Sequence, residues 1–388
     1  MKERISPYTY LLCVGHLFTD LNQGALPVMI PFFILEYGFN YTKAASLIFA
    51  LNLVSSVVQP FFGALADRAS KPWIMPAGIL LAGGGMAATG IFTSYTAIFA
   101  AVMISGMGIA AFHPDAARYA NKVAGRKKGT GVSIFSFGGN VGFALGPVFT
   151  AWLVLTFGLK GLAALLIPVA VMAPVLLAAM NRYRRGEEAA RAAGSLTREA
   201  SGTDRWGAFS FLCALLFSRS IIFYGLNTFL PLYWIHMFKQ SEAKASAALT
   251  ILLAVGAVST LIGGRMADRF GFRKVIRGGF FLLLPLMGLF AFTADAASAT
   301  LLLIPIGFAL YLPLTPMTVT GQKFLPNHIG LSSGVTIGLT VTIGGIAAPL
   351  LGRVADLHGL SSVMCILAAV AALPLLLSLA LPKPPDEA

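Results

Sequence analysis

The stretch GALADR at residues 63–68 closes one apolar run, and the stretch GRMADR at residues 264–269 closes another. The two copies lie 201 residues apart in a chain of 388 residues. A small residue followed by an acid and a base at the end of an apolar run, repeated at half the chain length, indicates a duplicated membrane protein. Parallel repeats of this kind build one large class of secondary transporters, in which the substrate path lies between the halves.

A second pair of landmarks supports the duplication. Residues 142–147 are GFALGP and residues 345–349 are GIAAP, so that Pro147 and Pro349 lie 202 residues apart. Two separate landmarks therefore agree on the repeat length to within one residue, which predicts two halves of similar structure.

The composition is that of a membrane protein. The chain is 57% hydrophobic and 11% charged, with a mean hydropathy of +0.80, whereas soluble domains contain about 25% charged residues. Runs of about 20 apolar residues can each span a bilayer. Twelve such runs are predicted, near residues 8–35, 43–66, 73–93, 96–121, 128–157, 161–181, 207–237, 243–267, 274–294, 299–324, 330–355 and 361–381.

The predicted fold is all-α and integral to the membrane, with twelve transmembrane helices in two pseudo-symmetric six-helix bundles. The bundles are predicted at residues 1–182 and 207–388. The polar segment 183–206, which lies between the sixth and seventh spans, is predicted to be a cytoplasmic linker.

The net charge of +13 by itself is compatible with a nucleic-acid partner, but the distribution of the basic residues argues against one and predicts membrane topology instead. Lys and Arg concentrate in the segments that share a side with the amino terminus, which is the pattern of cytoplasmic loops. Both termini are therefore expected in the cytoplasm, in a multi-pass protein of the plasma membrane that contacts lipid and is a monomer. The three cysteines lie in separate spans without disulfide or metal spacing, so neither a metal ion nor a cofactor is expected.

The first span carries a polar stripe. His16 and Asp20 are four residues apart and share one helical face, and Gln23 extends the stripe by about one turn. A histidine–carboxylate pair can exchange protons near neutral pH, so His16 and Asp20 are candidate proton-coupling residues and Gln23 is a candidate substrate ligand. The alternative is a hydrogen-bonded pair that only orders the helix.

The fourth span contains FHPDAAR at residues 112–118. Its proline removes a backbone donor, and ionisable groups within a span usually face a cavity or a partner. His113 and Asp115 are candidate proton carriers. Arg118 can pair with Asp115 three residues away, contact substrate, or brace the inner end of the span.

Arg219 lies deep in the seventh span, and its own span contains no acid. Its guanidinium suits a carboxylate, phosphate or phosphonate, which predicts an anion-binding site together with Tyr224, Asn227 and, in the fifth span, Asn140. The alternative is an ion pair with Asp20 or Asp115, and the two arrangements can alternate. An arginine that releases a carboxylate to bind a substrate anion would couple protonation to transport.

The repeated motifs are candidate gates. We expect Asp67 and Asp268 to pair with basic residues or with the amino-terminal dipoles of helices. Glycines four residues apart allow close helix contact. The predicted gating residues are Gly63, Asp67, Arg68, Gly264, Asp268, Arg269, Arg273, Gly142, Gly146 and Pro147.

These residues resemble the major facilitator superfamily. Its loop signature, a Gly-x-x-x-Asp-Arg core followed by basic residues, is similar to residues 63–71 and 264–274. Within the superfamily the chain resembles the fosmidomycin resistance protein family, through HLxxD at 16–20, FHPDxxR at 112–118, GGNxG at 138–142 and LPxxIGxxSG at 325–334. The resemblance implies the major facilitator fold and a proton-driven exporter of a phosphonate antibiotic, or of another small organic compound or drug.

The predicted function is secondary active transport by alternating access, as proton-coupled efflux of a small organic compound, with the proton gradient as the energy source. Uptake of an organic anion by a proton symporter or a uniporter is an alternative. A membrane enzyme that acts on lipid phosphates is another, although neither Gly-xxxx-Gly-Lys-Ser/Thr nor His-Glu-x-x-His occurs in the sequence. No catalytic residue is therefore predicted.

Overall fold

A computed structural model describes residues 5–39, 41–68, 71–192 and 202–384, which fold into helices joined by short loops. The helices of the first half are α1 (Pro7–Tyr37), α2 (Tyr41–Val57), α3 (Gln59–Arg68), α4 (Ile74–Ala88), α5 (Tyr95–Val123), α6 (Lys128–Phe157), a 3₁₀ segment (Leu159–Leu165) and α7 (Leu166–Ala192). Those of the second half are α8 (Trp206–His236), α9 (Glu242–Phe270), α10 (Phe272–Ala291), α11 (Ala296–Tyr311), α12 (Leu314–Phe324), α13 (Ile329–Gly334), a π-helical segment (Val335–Leu339), α14 (Thr340–His358), α15 (Leu360–Val370) and α16 (Ala372–Ala380).

The predicted all-helical membrane fold is confirmed. Within the described ranges, nine helical segments are long and apolar enough to cross a membrane. The other three predicted spans correspond to α1, to the shorter α4, and to the segment that runs from α13 through α14. Large apolar side chains such as Leu155 and Phe281 remain exposed on the helices, as expected for surfaces that contact lipid acyl chains.

Several spans are interrupted where the sequence disfavours a continuous helix. The second span is divided into α2 and α3, and Pro60 lies in the first turn of α3, where a missing backbone N–H costs nothing. The tenth span breaks between α11 and α12 at Pro313, which cannot donate to the preceding turn. The eleventh span contains the π segment, and such segments are frequent at functional sites.

Helix ends follow from local capping chemistry. The side chains of Ser94 and Ser241 accept hydrogen bonds from the backbone N–H groups of Ala97 and Lys244, at the starts of α5 and α9. Each cap contributes about 1 kcal/mol. Two residues after the second copy of the repeated motif, Gly271 adopts φ 93°, which allows α10 to begin after this single residue between α9 and α10.

Helices α1 and α6 approach each other through a glycine stripe on α6. A Cβ atom at any of these glycines would collide with a backbone carbonyl oxygen of α1, so that only glycine permits this packing. The stripe and the α1 residues that it faces are Gly138 against Cys13, Gly142 against Leu17, and Gly146 against Leu21. This packing fixes the register between the polar stripe of α1 and the middle of α6.

Two compact units can be distinguished by contacts within the chain. The first contains residues 1–126, 134–204 and 325–339, and the second contains residues 127–133, 205–324 and 340–388. The start of α6 thus groups with the second unit, and the start of the eleventh span groups with the first. The sequence-based division into bundles at residues 182 and 207 stays a prediction.

Candidate functional site

Three ionisable side chains of the first unit meet in one buried cluster. Helix α1 contributes His16 and Asp20, which lie one turn apart, and α5 contributes His113. His16 Nε2 lies 3.2 Å from Asp20 Oδ2, and His113 Nε2 lies 2.9 Å from Asp20 Oδ1. The cluster therefore joins two spans through one carboxylate.

The histidine rings are held by their surroundings. His16 is 7% exposed, stacks on Phe135 with ring centroids 4.1 Å apart, and has its Nδ1 atom 2.8 Å from the Phe135 carbonyl oxygen. His113 is 4% exposed, and its ring meets that of His16 edge to face at 4.9 Å. Two such rings around a carboxylate can hold or pass on a proton.

Gly139 on α6 leaves the space that this cluster occupies. A Cβ atom there would lie 2.5 Å from His16 Nε2 and 2.6 Å from Asp20 Oδ2. The sequence indicated only a glycine-rich segment at this point. The structural role of Gly139 follows from the register between α1 and α6.

Asp115 and Arg118 form a separate buried pair one turn further along α5. Arg118 Nη2 donates to Asp115 Oδ1 over 3.0 Å, and the guanidinium lies over the ring of Tyr119 at 5.2 Å. The carboxylate of Asp115 thus has an arginine as its ion-pair partner. Asp115 therefore differs from Asp20, whose partners are both histidines.

Arg219 on α8 is a buried charge of the second unit, with 5% exposure. Its Nε atom donates to the carbonyl oxygen of Leu310 over 2.9 Å. Within the part of the chain that the structure describes, its two terminal amino groups, Nη1 and Nη2, form no hydrogen bond. The end of the guanidinium thus has unused hydrogen-bond donors within the described ranges.

Aromatic rings surround the Arg219 guanidinium. Its central carbon lies 5.5 Å from the ring centroid of Phe223 and 5.4 Å from that of Tyr311, distances at which a cation–π interaction is favourable. Tyr224 packs edge to face on Phe223 and against Gly344. Sequence reasoning predicted Tyr224 near Arg219 but missed Tyr311, which lies in the middle of an otherwise apolar span.

The other predicted substrate ligands are half-buried. Gln23 lies on α1, Asn140 on α6 and Asn227 on α8. The amide groups of Gln23 and Asn227 form no hydrogen bond within the described ranges. Their roles as substrate ligands stay predictions.

Asp67, in the first copy of the repeated motif, caps a helix of the eleventh span. Its two carboxylate oxygens accept hydrogen bonds from the backbone N–H groups of Gly330, at 2.8 Å, and Leu331, at 2.9 Å, in the first turn of α13. Gly63 faces the Gly330 carbonyl so closely that a Cβ atom at residue 63 would collide with it. A carboxylate at a helix amino terminus is stabilised by unpaired N–H groups and by the helix dipole.

Asp268, in the second copy, caps α6 in the same way. Its oxygens accept from the backbone N–H groups of Gly129, at 2.8 Å, and Thr130, at 2.7 Å. The Thr130 hydroxyl adds a third hydrogen bond of 2.6 Å. A Cβ atom at Gly264 would collide with the Gly129 carbonyl, so a glycine and an aspartate act together at both copies.

The basic residues of the motifs lie at the ends of helices. Arg68 is exposed in the last turn of α3, and Arg269 lies over the ring of Phe270 at 5.2 Å. Arg273 Nη2 donates to the Leu379 carbonyl over 3.4 Å. Pro147 lies inside α6, after the glycine stripe.

The end of the predicted linker forms contacts that sequence reasoning did not include. Asp204 Oδ2 lies 2.9 Å from His328 Nδ1, and Asp204 Oδ1 accepts from the Asn327 backbone N–H over 3.1 Å. Asn327 and His328 directly precede α13, and Asp67 caps the first turn of that helix. Two acids of the first unit therefore hold one short segment of the eleventh span.

Buried ion pairs and a buried arginine inside membrane-spanning helices are typical of a membrane transporter. The chain belongs to the Major Facilitator Superfamily, whose family model matches residues 12–349.

Two relatives in sequence and one in structure agree with this assignment. The chain is 31% identical to the uncharacterized MFS-type transporter YfnC of Bacillus subtilis (strain 168), with 100% of this chain and 95% of YfnC covered. It is 29% identical to the fosmidomycin resistance protein of Escherichia coli (strain K12), with 89% and 85% covered. The crystal structure of the transporter FucP in the outward conformation matches with a TM-score of 0.77 at 15% identity, over 97% of this chain and 99% of FucP.

The family resemblance and the twelve-span fold predicted from the sequence are therefore confirmed. The protein is a multi-pass membrane transporter of small molecules, and the alternative of a membrane enzyme is wrong.

Proposed function

We propose that this chain exports a small organic anion of the phosphonate type in exchange for protons. The observation that carries the proposal is Arg219, a buried guanidinium whose aromatic neighbours carry no charge and whose terminal amino groups form no hydrogen bond within the described ranges. A buried cation without a counter-ion is costly, and a bound anion offsets that cost. A relative named for resistance to fosmidomycin supports a phosphonate as the substrate.

The geometry at Arg219 favours an oxyanion that approaches in the plane of the guanidinium. Phe223 and Tyr311 lie against the group, and the Nε edge is taken by the Leu310 carbonyl. The end that carries Nη1 and Nη2 remains, and two parallel hydrogen bonds from it match two oxygens of a phosphonate or carboxylate.

His16, Asp20 and His113 are proposed to bind the coupling proton. They form a buried cluster in which a carboxylate has two histidine partners and no arginine or lysine partner within the described ranges. Asp115, by contrast, is paired with Arg118. We therefore assign the main proton-carrying role to Asp20 and its histidines, and a secondary role to Asp115.

Asp67 and Asp268 are proposed to act as gates. Each forms hydrogen bonds that depend on the position of one helix end. Such bonds can form in one state of the transport cycle and break in the other. The positive charges of the chain support cytoplasmic termini in a plasma-membrane protein, and a monomer is sufficient for this mechanism.

Transport by purified protein in liposomes tests the proposal. Fosmidomycin is added outside vesicles that enclose a pH-sensitive dye, and uptake of the compound is measured in parallel. Exchange against protons makes the vesicle lumen more alkaline, symport makes it more acidic, and a uniporter takes up the compound without a proton signal. Absence of fosmidomycin uptake, together with uptake of neutral sugars by the same vesicles, would overturn the anion assignment.

A further inference from the structure

Each hydrogen-bond acceptor around Asp20 can be paired with a donor only if the cluster holds one additional proton. This inference rests on the proposed proton-coupling role and specifies where the proton lies. It follows from the donors and acceptors of His16 and His113, taken one ring at a time.

The tautomer of His16 is determined by a backbone group. The Phe135 carbonyl oxygen, 2.8 Å from His16 Nδ1, can only accept a hydrogen bond, so Nδ1 carries a hydrogen. In a neutral ring the other nitrogen, Nε2, would then be an acceptor. That nitrogen lies 3.2 Å from Asp20 Oδ2, which is also an acceptor when Asp20 is ionised. Two acceptors repel each other at this distance, so a proton is required on either His16 or Asp20.

His113 satisfies Asp20 without an additional proton. Its Nε2 atom lies 2.9 Å from Asp20 Oδ1, in the position of a donor. Its Nδ1 atom is buried and has no hydrogen-bond partner within the described ranges. A hydrogen on this nitrogen would be an unsatisfied buried donor, which is unfavourable. His113 is therefore neutral, with its hydrogen on Nε2.

Among the residues that the structure describes, no other charged side chain forms an ion pair with the cluster. On α5 the neighbouring charges are Asp115 and Arg118, which pair with each other. From α6 the cluster receives the Phe135 carbonyl and the space beside Gly139. A protonated His16, an ionised Asp20 and a neutral His113 sum to zero charge, which suits a buried site.

We infer that the cluster holds one exchangeable proton, on the His16–Asp20 edge, while His113 stays uncharged and positions the carboxylate. Loss of this proton leaves two acceptors facing each other on α1 and a net negative charge on the cluster. Asp20 then keeps only its hydrogen bond to His113 on α5. Proton release thus weakens a contact within α1 and preserves the contact between α1 and α5.

Nitrogen NMR of protein with ¹⁵N-labelled histidine, without substrate, tests this inference. The chain has five histidines, so single His→Gln variants assign each signal. At about pH 8 a free imidazole is neutral, and an imidazolium signal therefore marks a stabilised charge. We expect one such signal that is lost in His16→Gln and retained in His113→Gln. If the proton lies on Asp20 instead of His16, the equivalent result is an infrared band of a carboxylic acid that disappears in Asp20→Asn.

Two outcomes would overturn the inference. One is an imidazolium signal that His113→Gln removes and His16→Gln leaves in place. The other is a neutral His16 together with an ionised Asp20. Because no substrate is present, a proton found on this edge while fosmidomycin moves no protons in vesicles would contradict the proposed coupling and leave the inference intact.

Gly139→Ala provides a test in which every titratable group is retained. The added methyl group would enter the space between His16 Nε2 and Asp20 Oδ2, and alanine favours the helix. We expect the His16 imidazolium signal to be lost or shifted. Gly84→Ala is the matched control, because a Cβ atom there comes no nearer than 3.9 Å to a neighbour. An unchanged His16 signal in a folded Gly139→Ala protein would count against a proton on this edge.

Discussion

The two units hold their buried charges in different ways. In the first unit every buried carboxylate described above has a partner, since Asp20 lies between His16 and His113 and Asp115 pairs with Arg118. In the second unit Arg219 has a backbone carbonyl and aromatic rings around it. A compensated cluster can change its proton number at low cost, whereas an uncompensated cation attracts an anion.

Under the proposed function, this contrast gives the two units different tasks. The repeated features, Asp67 and Asp268 with their glycines, perform the same local task of capping a helix. The features that differ are the buried charges. We therefore expect variants in the first unit to change proton coupling, and variants at Arg219 to change substrate affinity.

Asp20→Asn should have the largest effect, because it should separate proton movement from substrate binding. Asparagine cannot release a proton, and it leaves His16 and His113 without a negative partner. We expect fosmidomycin-dependent movement of protons in vesicles to be abolished, while binding of fosmidomycin to purified protein falls less than tenfold. Asp295→Asn, at an exposed helix cap of the second unit, is the control. Intact proton movement in Asp20→Asn would remove the proton role from the first unit.

Arg219→Lys should have the second-largest effect, which is expected on the affinity for fosmidomycin. Lysine keeps the charge but cannot offer two parallel donors. Hydrogen bonds to charged groups contribute about 1.5–3 kcal/mol, so the dissociation constant for fosmidomycin should rise by about ten- to a hundredfold. Isothermal titration of purified protein measures this change.

Arg353→Lys is the matched control for Arg219→Lys, since Arg353 is an exposed arginine of the same unit. Equal affinity in the two lysine variants would show that Arg219 does not contact the anion, and the contrast between the units would then lose its functional meaning.

How much of the candidate site can be predicted from the sequence depends on how far apart along the chain the contacting residues lie. The spacing of His16 and Asp20 predicts their proximity, because both lie on one helix. The approach of His113 to Asp20 depends on how α1 and α5 pack, which no local pattern encodes. Gly139 was visible only as part of a glycine-rich segment, and its role follows from the register between α1 and α6.

The proposed gating residues show the same limit of prediction from the sequence. The sequence identifies Asp67 and Asp268 and predicts that helix dipoles are possible partners. It does not identify Gly330 and Leu331 as donors to Asp67, since they lie in the other half of the chain. Thr130 was likewise missed, although a hydroxyl at the start of a span is a common local donor.

Asp67→Asn and Asp268→Asn compare the two copies of the motif. Each change removes a charge that accepts two backbone donors, and each should lower the free energy of unfolding in detergent by about 1.5–3 kcal/mol. Thr130→Val removes only the third hydrogen bond of Asp268 and should cost about 1 kcal/mol. Because Thr130 and Asp268 share this bond, the double variant should lose less than the sum of the single variants. Additive losses would contradict a direct Thr130–Asp268 bond in solution.

Asp295 lies outside the proposed proton and anion sites, and we expect its substitution to have the smallest effect on the protein. Its pKa lies below the ordinary value because the carboxylate accepts a hydrogen bond from the Ser298 backbone N–H at the start of α11. A carboxylate whose pKa is lower in the folded protein stabilises the fold above its unfolded pKa, and this contribution is lost as the pH falls through the folded pKa. Asp295→Ala should therefore lower the melting temperature by about one degree at neutral pH, and the difference should shrink as the pH falls below the ordinary pKa of aspartate and through the lower folded pKa. Asp295→Ser keeps a cap without a charge, so its melting temperature should differ less from that of the original protein. A loss of stability in Asp295→Ala that persists unchanged at low pH would mean that the cap does not act through the carboxylate charge.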